Sequence, residues 1–466
     1  MGMQQLGNSS KFKKPMKTFM MKLHLQLIAA FIFLLSLRAA SQNLYFPPLN
    51  NNASWDTLSP ASLGWCANRI DSLNDYLQSQ DTKAFIVLKD GKIVLENYFG
   101  TFTADSSWYW ASAGKTITSF LVGKAIEENF LSLNDTVSTI LGNGWTSCFP
   151  IQERKIKIIH QLTMTSGLDD DVPDNHCTLD TCLQCISDPG GRWAYHNAPY
   201  TLLEDVISTS TNLSYNVFTQ TRLKNLTGMT GSWFTQGYNN VFVSKPRSMA
   251  RFGLLIQNHC IWNQDTLLHD TAYVNAMTRT SQNLNKSYGY LWWLNGKASY
   301  MVPGSQLVIP GFAAPEAPAD MFAAIGKNGQ LLSVCRSLGL VFVRMGNQTS
   351  GNEVPIALLN SIWEKLNAVM CNPTGLHANT REQEEVKLFP NPTNRNIQID
   401  WKGMDPQKLY AMQLINLQGK MVYTQEIKSS ENVYVLPESV SAGSWIVQCM
   451  DVSSGVTCWR KKLMVK

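Results

Sequence analysis

The chain has 466 residues, 44% hydrophobic and 16% charged, which excludes a disordered polymer and allows two or three packed domains. Its formal charge of +5 does not indicate a nucleic-acid binder. Lys11, Lys13, Lys14, Lys17, Lys22 and Arg38 precede residue 42 with no acid among them, so the remainder carries 5 − 6 = −1 and has no basic surplus to attract phosphate.

In chain order, a lysine-rich start, an apolar stretch over residues 23–37 and the small residues Ala39-Ala40-Ser41 form the three parts of a secretory signal over 1–41. A membrane anchor is the alternative, but the apolar core is short of the roughly 20 residues of a span, and no other stretch is long enough. Export is expected, with no stable transmembrane segment once the leader is removed. Ten cysteines, all beyond residue 65, suit an oxidising compartment. His176, Cys177, Cys182 and Cys185 offer a zinc-like Cys-x-x-Cys spacing; disulfides, with Cys148 among them, are the preferred reading. Cys449 and Cys458 flank Ser453-Ser454-Gly455 almost symmetrically, and a hairpin there would set them face to face.

An amphipathic helix is predicted over 63–77, then strands over 84–88 and 93–95 joined by the hairpin signal Asp90-Gly91. Next comes Trp108-Tyr109-Trp110-Ala111-Ser112-Ala113-Gly114-Lys115-Thr116, entering the apolar run 117–126. A Ser-x-x-Lys at a helix start puts hydroxyl and amine one turn apart on one face, so the lysine can help deprotonate the serine. The other reading is a plain N-cap serine, and the same spacing recurs at Ser10 and Lys13, so its weight must come from other motifs.

The middle, 116–300, reads as mostly helical with long loops. Strands are predicted again over 321–325, 330–334 and 340–343, then a helix over 356–369. Strands from both ends of domain 57–371 would form one antiparallel sheet of an α+β fold, with a helical insert between them and the site where insert meets sheet. A polar linker over 372–385 leads to a small β-sandwich over 386–466, with strands near 397–399, 412–417, 419–423, 444–450 and 459–465.

An acyl-transfer serine needs a base, a group to protonate the leaving atom, and oxyanion donors. Lys115, desolvated, would lose pKa and act as the base. Of the triplets Tyr195-His-Asn197, Tyr238-Asn-Asn240 and Tyr273-Val-Asn275, only the first follows a Pro189-Gly190-Gly191 turn and precedes an apolar helical run. A tyrosine beside Lys115 could share the proton work, and Tyr195 is the choice. Trp108, Tyr109, Trp110, Trp292 and Trp293 are either a pocket wall or core.

Ser112-x-x-Lys115, the segment 162–168, Tyr195-x-Asn197 and a late strand with a glycine turn before Arg344, taken in order, resemble the serine β-lactamase-related hydrolases over about residues 60–370. That group includes class C β-lactamases, D-alanyl-D-alanine peptidases, related esterases and 6-aminohexanoate-dimer hydrolases. The resemblance implies a β-lactamase/transpeptidase-like fold and an acyl-enzyme route without cofactor or metal. Ser112 would be the nucleophile, Lys115 its activator, Tyr195 the proton shuttle and Asn197 a substrate or lysine contact; 162–168 would be scaffold, and His196 would face away. The family's strand motif, Lys-Thr-Gly or His-x-Gly, has two registers here. Lys327-Asn328-Gly329 matches on paper but falls at a hairpin tip. Ala324-Ile325-Gly326, the preferred register, leaves the Lys327 N–H as oxyanion donor beside that of Ser112 and removes the cation that grips a β-lactam or peptide carboxylate. That disfavours antibiotic or peptide substrates and favours the esterase and amidase branch, which Ser287-Tyr-Gly-Tyr-Leu-Trp-Trp-Leu294 and Gly329-Gln330 also resemble. A penicillin-binding peptidase or β-lactamase, and a non-catalytic binding protein on the same scaffold, are the alternatives.

Leu388-Phe-Pro-Asn391-Pro392, Asn416-Leu-Gln-Gly419-Lys420, Ser441-Ala-Gly443 and the lysine-rich end resemble the C-terminal sorting domain of the Bacteroidetes type IX secretion system. The resemblance implies the type IX machinery as partner and a secreted or cell-surface protein. A carbohydrate-binding accessory sandwich is the other reading.

Overall fold

A computed structural model divides the chain into two compact units, Met1–Leu376 and His377–Lys466. It describes Gly2 and residues 44–50, 53–348, 353–371, 386–401, 404–405, 409–415, 421–427, 433–451 and 457–466. The expected leader, Gly2 apart, and the expected linker over 372–385 lie outside the described residues.

In the first unit Asp90 and Gly91 take φ of 50° and 83°, as a type I′ turn requires, and join β1 (Thr82–Lys89) to β2 (Lys92–Tyr98). A Cβ on Gly91 would lie 1.8 Å from the Tyr45 carbonyl oxygen, so the close approach also needs glycine. A small sheet combines β3 (Trp108–Tyr109), β4 (Ser232–Gln236) and β5 (Asn239–Ser244) in the order β3-β5-β4. The main sheet takes β6 (Trp293–Leu294), β7 (Phe322–Gly326), β8 (Gln330–Cys335) and β9 (Leu340–Gly346) and runs antiparallel as β2-β1-β9-β8-β7-β6. As predicted, it joins strands from both ends of the domain, with Ile86 opposite Val343.

The principal helices are α1 (Ile70–Ser79), α2 (Lys115–Glu127), α3 (Asn197–Thr211), α4 (Pro246–Gln257) and α5 (Ile356–Met370). Strands β7, β8 and β9 are buried throughout, which explains their continuous apolar character. Helix α4 covers one face so closely that a Cβ on Gly253 would come within 2.6 Å of the Leu332 and Val341 side chains. Helix α5 covers the other: Trp363 Nε1 donates to Ser333 Oγ at 3.1 Å, and its ring packs on Phe342 with centroids 5.6 Å apart. Helix α2, buried along nearly its whole length, runs through the interior against α3.

Two expectations change. The helix predicted over 63–77 begins only at Ile70, because Gly64 ends a 3-10 turn (Pro60–Leu63) at φ 70° and Cys66 is bonded to Cys371. The middle region contains the β4–β5 hairpin as well as helices. Among the described residues the other disulfides are Cys148–Cys185 and Cys177–Cys182, which takes these thiols away from zinc.

In the second unit a three-stranded sheet (Lys387–Phe389, Asn396–Asp400, Val433–Val435) and a four-stranded one (Met421–Ile427, Tyr410–Ile415, Gly443–Asp451, Thr457–Val465) share a core that includes Ile397, Tyr434, Met412, Leu414, Val447 and Leu463. This is a sandwich. Cys449 lies opposite Trp459 in the strand register; the Cys458 side chain is outside the described residues. Among the described residues no helix is long and apolar enough to cross a membrane.

Candidate active site

Ser112 sits in a 3-10 turn, Ala111–Gly114, that runs directly into α2 at Lys115. In such a turn residues three apart eclipse, and Lys115 Nζ lies 2.8 Å from Ser112 Oγ. Ala111 takes φ 47°, a left-handed conformation that costs a side chain about 1–3 kcal/mol. The neighbouring Trp110 holds it there. Its N–H donates to Phe242 O and its indole Nε1 to Ser244 Oγ, each at 2.8 Å.

Lys115 is only 3% exposed. Its ammonium donates to Asn197 Oδ1 at 2.7 Å and lies over the rings of Tyr200 at 4.2 Å and Tyr195 at 5.1 Å. Burial pulls its pKa down to about 7, against the opposing pull of Glu353 and Glu204. Asn197 opens α3 and is itself held by Asn175, whose Oδ1 accepts from its backbone N–H at 3.1 Å and from its Nδ2 at 2.5 Å.

Tyr195 is 2% exposed; burial, its largest influence, pushes the phenol pKa up, and the nearby Ser112 works against it. The segment 162–168 holds the loop that presents it: Met164 O accepts from Ala194 N–H at 2.9 Å and Thr165 O from Gly190 N–H at 2.8 Å. His196 is buried with neither ring nitrogen hydrogen-bonded by protein, and burial pulls its pKa down to about 4. Of the tryptophans considered, Trp110 and Trp292 are core at 0% exposure, whereas Trp293 packs on Tyr195 with centroids 5.6 Å apart.

Strand β7 ends against the serine turn. A Cβ on Gly326 would lie 2.4 Å from Trp110 O and 3.0 Å from Ala113 N, so only glycine allows this approach. Lys327–Gly329 forms the 3-10 turn that follows, with the Lys327 side chain exposed. The structure thus brings Ser112, Lys115, Tyr195 and Asn197 into one cluster and sets Gly326 beside the serine turn. A cleft of about 700 Å³ opens at Tyr195, lined also by Tyr300, Asn175, Asn360, Asp170 and Glu353. Among its described lining residues the ionisable side chains other than Tyr195 and Tyr300 are these two carboxylates, and Asp170 is paired with Arg192 at 2.5 Å.

Sequence reading missed Tyr200, Glu204 and Glu353. Tyr200 and Glu204 follow Asn197 at i+3 and i+7, so a helical wheel from Asn197 would have put them on one face. Glu204 is 2% exposed and its pKa is pushed up to about 8 by burial. Glu353 is far along the chain and carries no local signal.

No curated protein matched this chain in sequence. Among solved structures, one provisionally named a 6-aminohexanoate-dimer hydrolase from Bacillus anthracis is 17% identical, with a TM-score of 0.53, covering 72% of this chain and 94% of its own. Another, provisionally named a beta-lactamase from Bacteroides dorei, is also 17% identical, with a TM-score of 0.52, covering 66% of this chain and 100% of its own. These likenesses concern the fold, which is the β-lactamase/transpeptidase-like one predicted. The secretion system C-terminal sorting domain matches residues 387–466, which marks the protein for secretion and the cell surface. The beta-lactamase family profile matches residues 78–366, more than half of the chain, and the chain belongs to that family.

Proposed function

We propose that this is an exported serine hydrolase that cleaves an ester or amide through an acyl-enzyme on Ser112. The observation that carries this reading is the contact of the buried Lys115 Nζ with the half-buried Ser112 Oγ at 2.8 Å, with the lysine pKa drawn down to about 7. Asn197 accepts one lysine N–H, which leaves the lone pair of the neutral amine to take the serine proton. As Oγ bonds to the substrate carbonyl carbon, its proton passes to Nζ. The oxyanion is held by the N–H groups of Ser112 and Lys327 in the Gly326 register. Collapse expels the leaving group with a proton returned from Lys115 through the Tyr195 hydroxyl, which its raised pKa keeps protonated. Water then attacks the ester, gives a proton back to the same pair, and releases the acid and free Ser112.

The cleft lining supports a neutral substrate. No lysine or arginine is among its described lining residues, which favours a substrate without the carboxylate that a β-lactam or a peptide C terminus carries. The test is to incubate the mature protein and its Ser112→Ala variant with a fluorophosphonate probe and with a labelled penicillin. Labelling by the fluorophosphonate alone, lost in Ser112→Ala, is expected. No serine-dependent labelling by either would reject catalysis, and labelling by penicillin alone would restore the peptidase or β-lactamase reading.

A further inference from the structure

The turn after β7 is gripped from behind by two fully buried side chains that no step above uses. Gln330 Nε2 donates to Lys327 O at 3.3 Å and to Gly346 O at 2.6 Å, while its Oε1 accepts from Gly346 N–H at 3.1 Å. Arg344 Nη1 donates to Asn328 O at 3.0 Å and to Gly329 O at 2.7 Å; its Nε donates to Thr82 Oγ1 at 3.0 Å and its Nη2 to Gln80 O. Both residues are 0% exposed. The three successive carbonyls of Lys327, Asn328 and Gly329 therefore all point back into protein donors. On the other side Asn328 Nδ2 donates to Tyr109 OH at 2.8 Å, three residues before Ser112.

A short turn between two strands does not need this. Its carbonyls are ordinarily hydrated at the surface, and a guanidinium taken out of water without a carboxylate hydrogen-bonded to it is costly. Gly329 has to be glycine to admit it: at φ 81° a Cβ there would lie 2.1 Å from Arg344 Nη1. The same clamp fixes a turn whose first residue abuts the serine turn through Gly326.

We propose that Arg344 and Gln330 are positioning residues: by holding the carbonyls of 327–329 they aim the Lys327 N–H at the substrate oxygen. The proposal rests on the acyl-transfer reading above. A donor in an oxyanion site is worth about 10²–10³ in rate, and a displacement of about 1 Å can lose about a hundredfold.

The test uses the full mature chain with Gln330→Met, which keeps the volume and removes the amide, and Arg344→Lys, which keeps the charge but not the fork that spans two carbonyls. Saturation kinetics of fluorophosphonate labelling give kinact and KI, and titration with a boronic acid that mimics the tetrahedral adduct gives a dissociation constant, each normalised to the fraction labelled at completion. In both variants kinact is expected to fall about ten- to a hundredfold, boronate binding to weaken alongside it, and KI to stay within about twofold. A purely structural role would lower the melting temperature while leaving kinact and boronate affinity per labelled site unchanged, and that result overturns the proposal. If Arg344→Lys does not fold, Gln330→Met decides by the same readings. A wild-type protein without Ser112-dependent labelling overturns the acyl-transfer reading and this proposal together, whereas a labelled wild type with unaffected variants overturns this one alone.

Discussion

Burying Lys115 against Tyr195 and Tyr200 removes its ammonium from water, and folding is linked to pH through it. The folded amine titrates near 7 against a reference value of 10.5. Below pH 7 both states are protonated and the cost is fully present; between 7 and 10.5 the unfolded chain holds a proton that the folded one has released, so stability rises with pH. Lys115→Met lacks this linkage. Its stability relative to wild type is therefore expected to be highest below pH 7 and to decline toward pH 10.5, which urea unfolding at pH 6, 8 and 10 checks; a pH-independent difference would contradict the buried amine. For the same reason the labelling rate of the wild type should rise with an apparent pKa near 7, belonging to the coupled Lys115–Tyr195 pair rather than to one group. Ser112 and Lys115 were legible in the sequence because their contact is local, three residues along one turn. Tyr195 was legible through the glycine turn before it. Arg344 appeared only as the end of a strand, since its partners lie at Gln80, Thr82 and the next turn, and only the sheet brings these together.

At the scale of elements, the long loop between Leu162 and α3 carries Tyr195 with little regular structure of its own. Its order comes from backbone hydrogen bonds to 164–167 and from the Cys148–Cys185 and Cys177–Cys182 bridges. The Cys66–Cys371 bridge instead ties the entry to α1 to the end of α5, 305 residues away in sequence. Replacing Cys66 and Cys371 by serine is expected to cost about 2–4 kcal/mol and lower the melting temperature while leaving fluorophosphonate labelling in place. Replacing Cys148 and Cys185 should instead slow labelling by loosening the Tyr195 loop. Thermal melts and labelling rates on the two double variants separate these outcomes. Five of the six strands of the main sheet could be read from the sequence because they are short apolar runs bounded by turns; the two-residue edge strand β6 (Trp293–Leu294) is too short to show a pattern. The β4–β5 hairpin could not, because its turn Gln236-Gly237-Tyr238 sits in a polar stretch and Phe234 faces solvent at 58% exposure, which blurs the alternation. The Cys66–Cys371 pairing had no signal at all, since nothing local relates residues so far apart.

The molecule as a whole is two units with separate hydrophobic cores, and the motifs of each lie within its own stretch of sequence. A variant lacking 377–466 should still label at Ser112 but accumulate in the periplasm instead of reaching the surface or medium; fractionation combined with labelling checks both, and surface delivery without the tail would contradict its sorting role. Within the first unit, β1 and β9 pair residues from opposite ends of the domain, so the main sheet closes only after almost all of that domain's chain is available. Arg344 bridges the same two ends, reaching Gln80 and Thr82 on one side and Asn328 and Gly329 on the other. Three of those four partners are main-chain oxygens, present whatever the side chain. A mutational scan for second-site suppressors of Arg344 loss would therefore find no hydrogen-bonded acid to exchange, and in a family alignment the position would show dependence with little covariation, held mostly by main-chain atoms that side-chain changes leave in place.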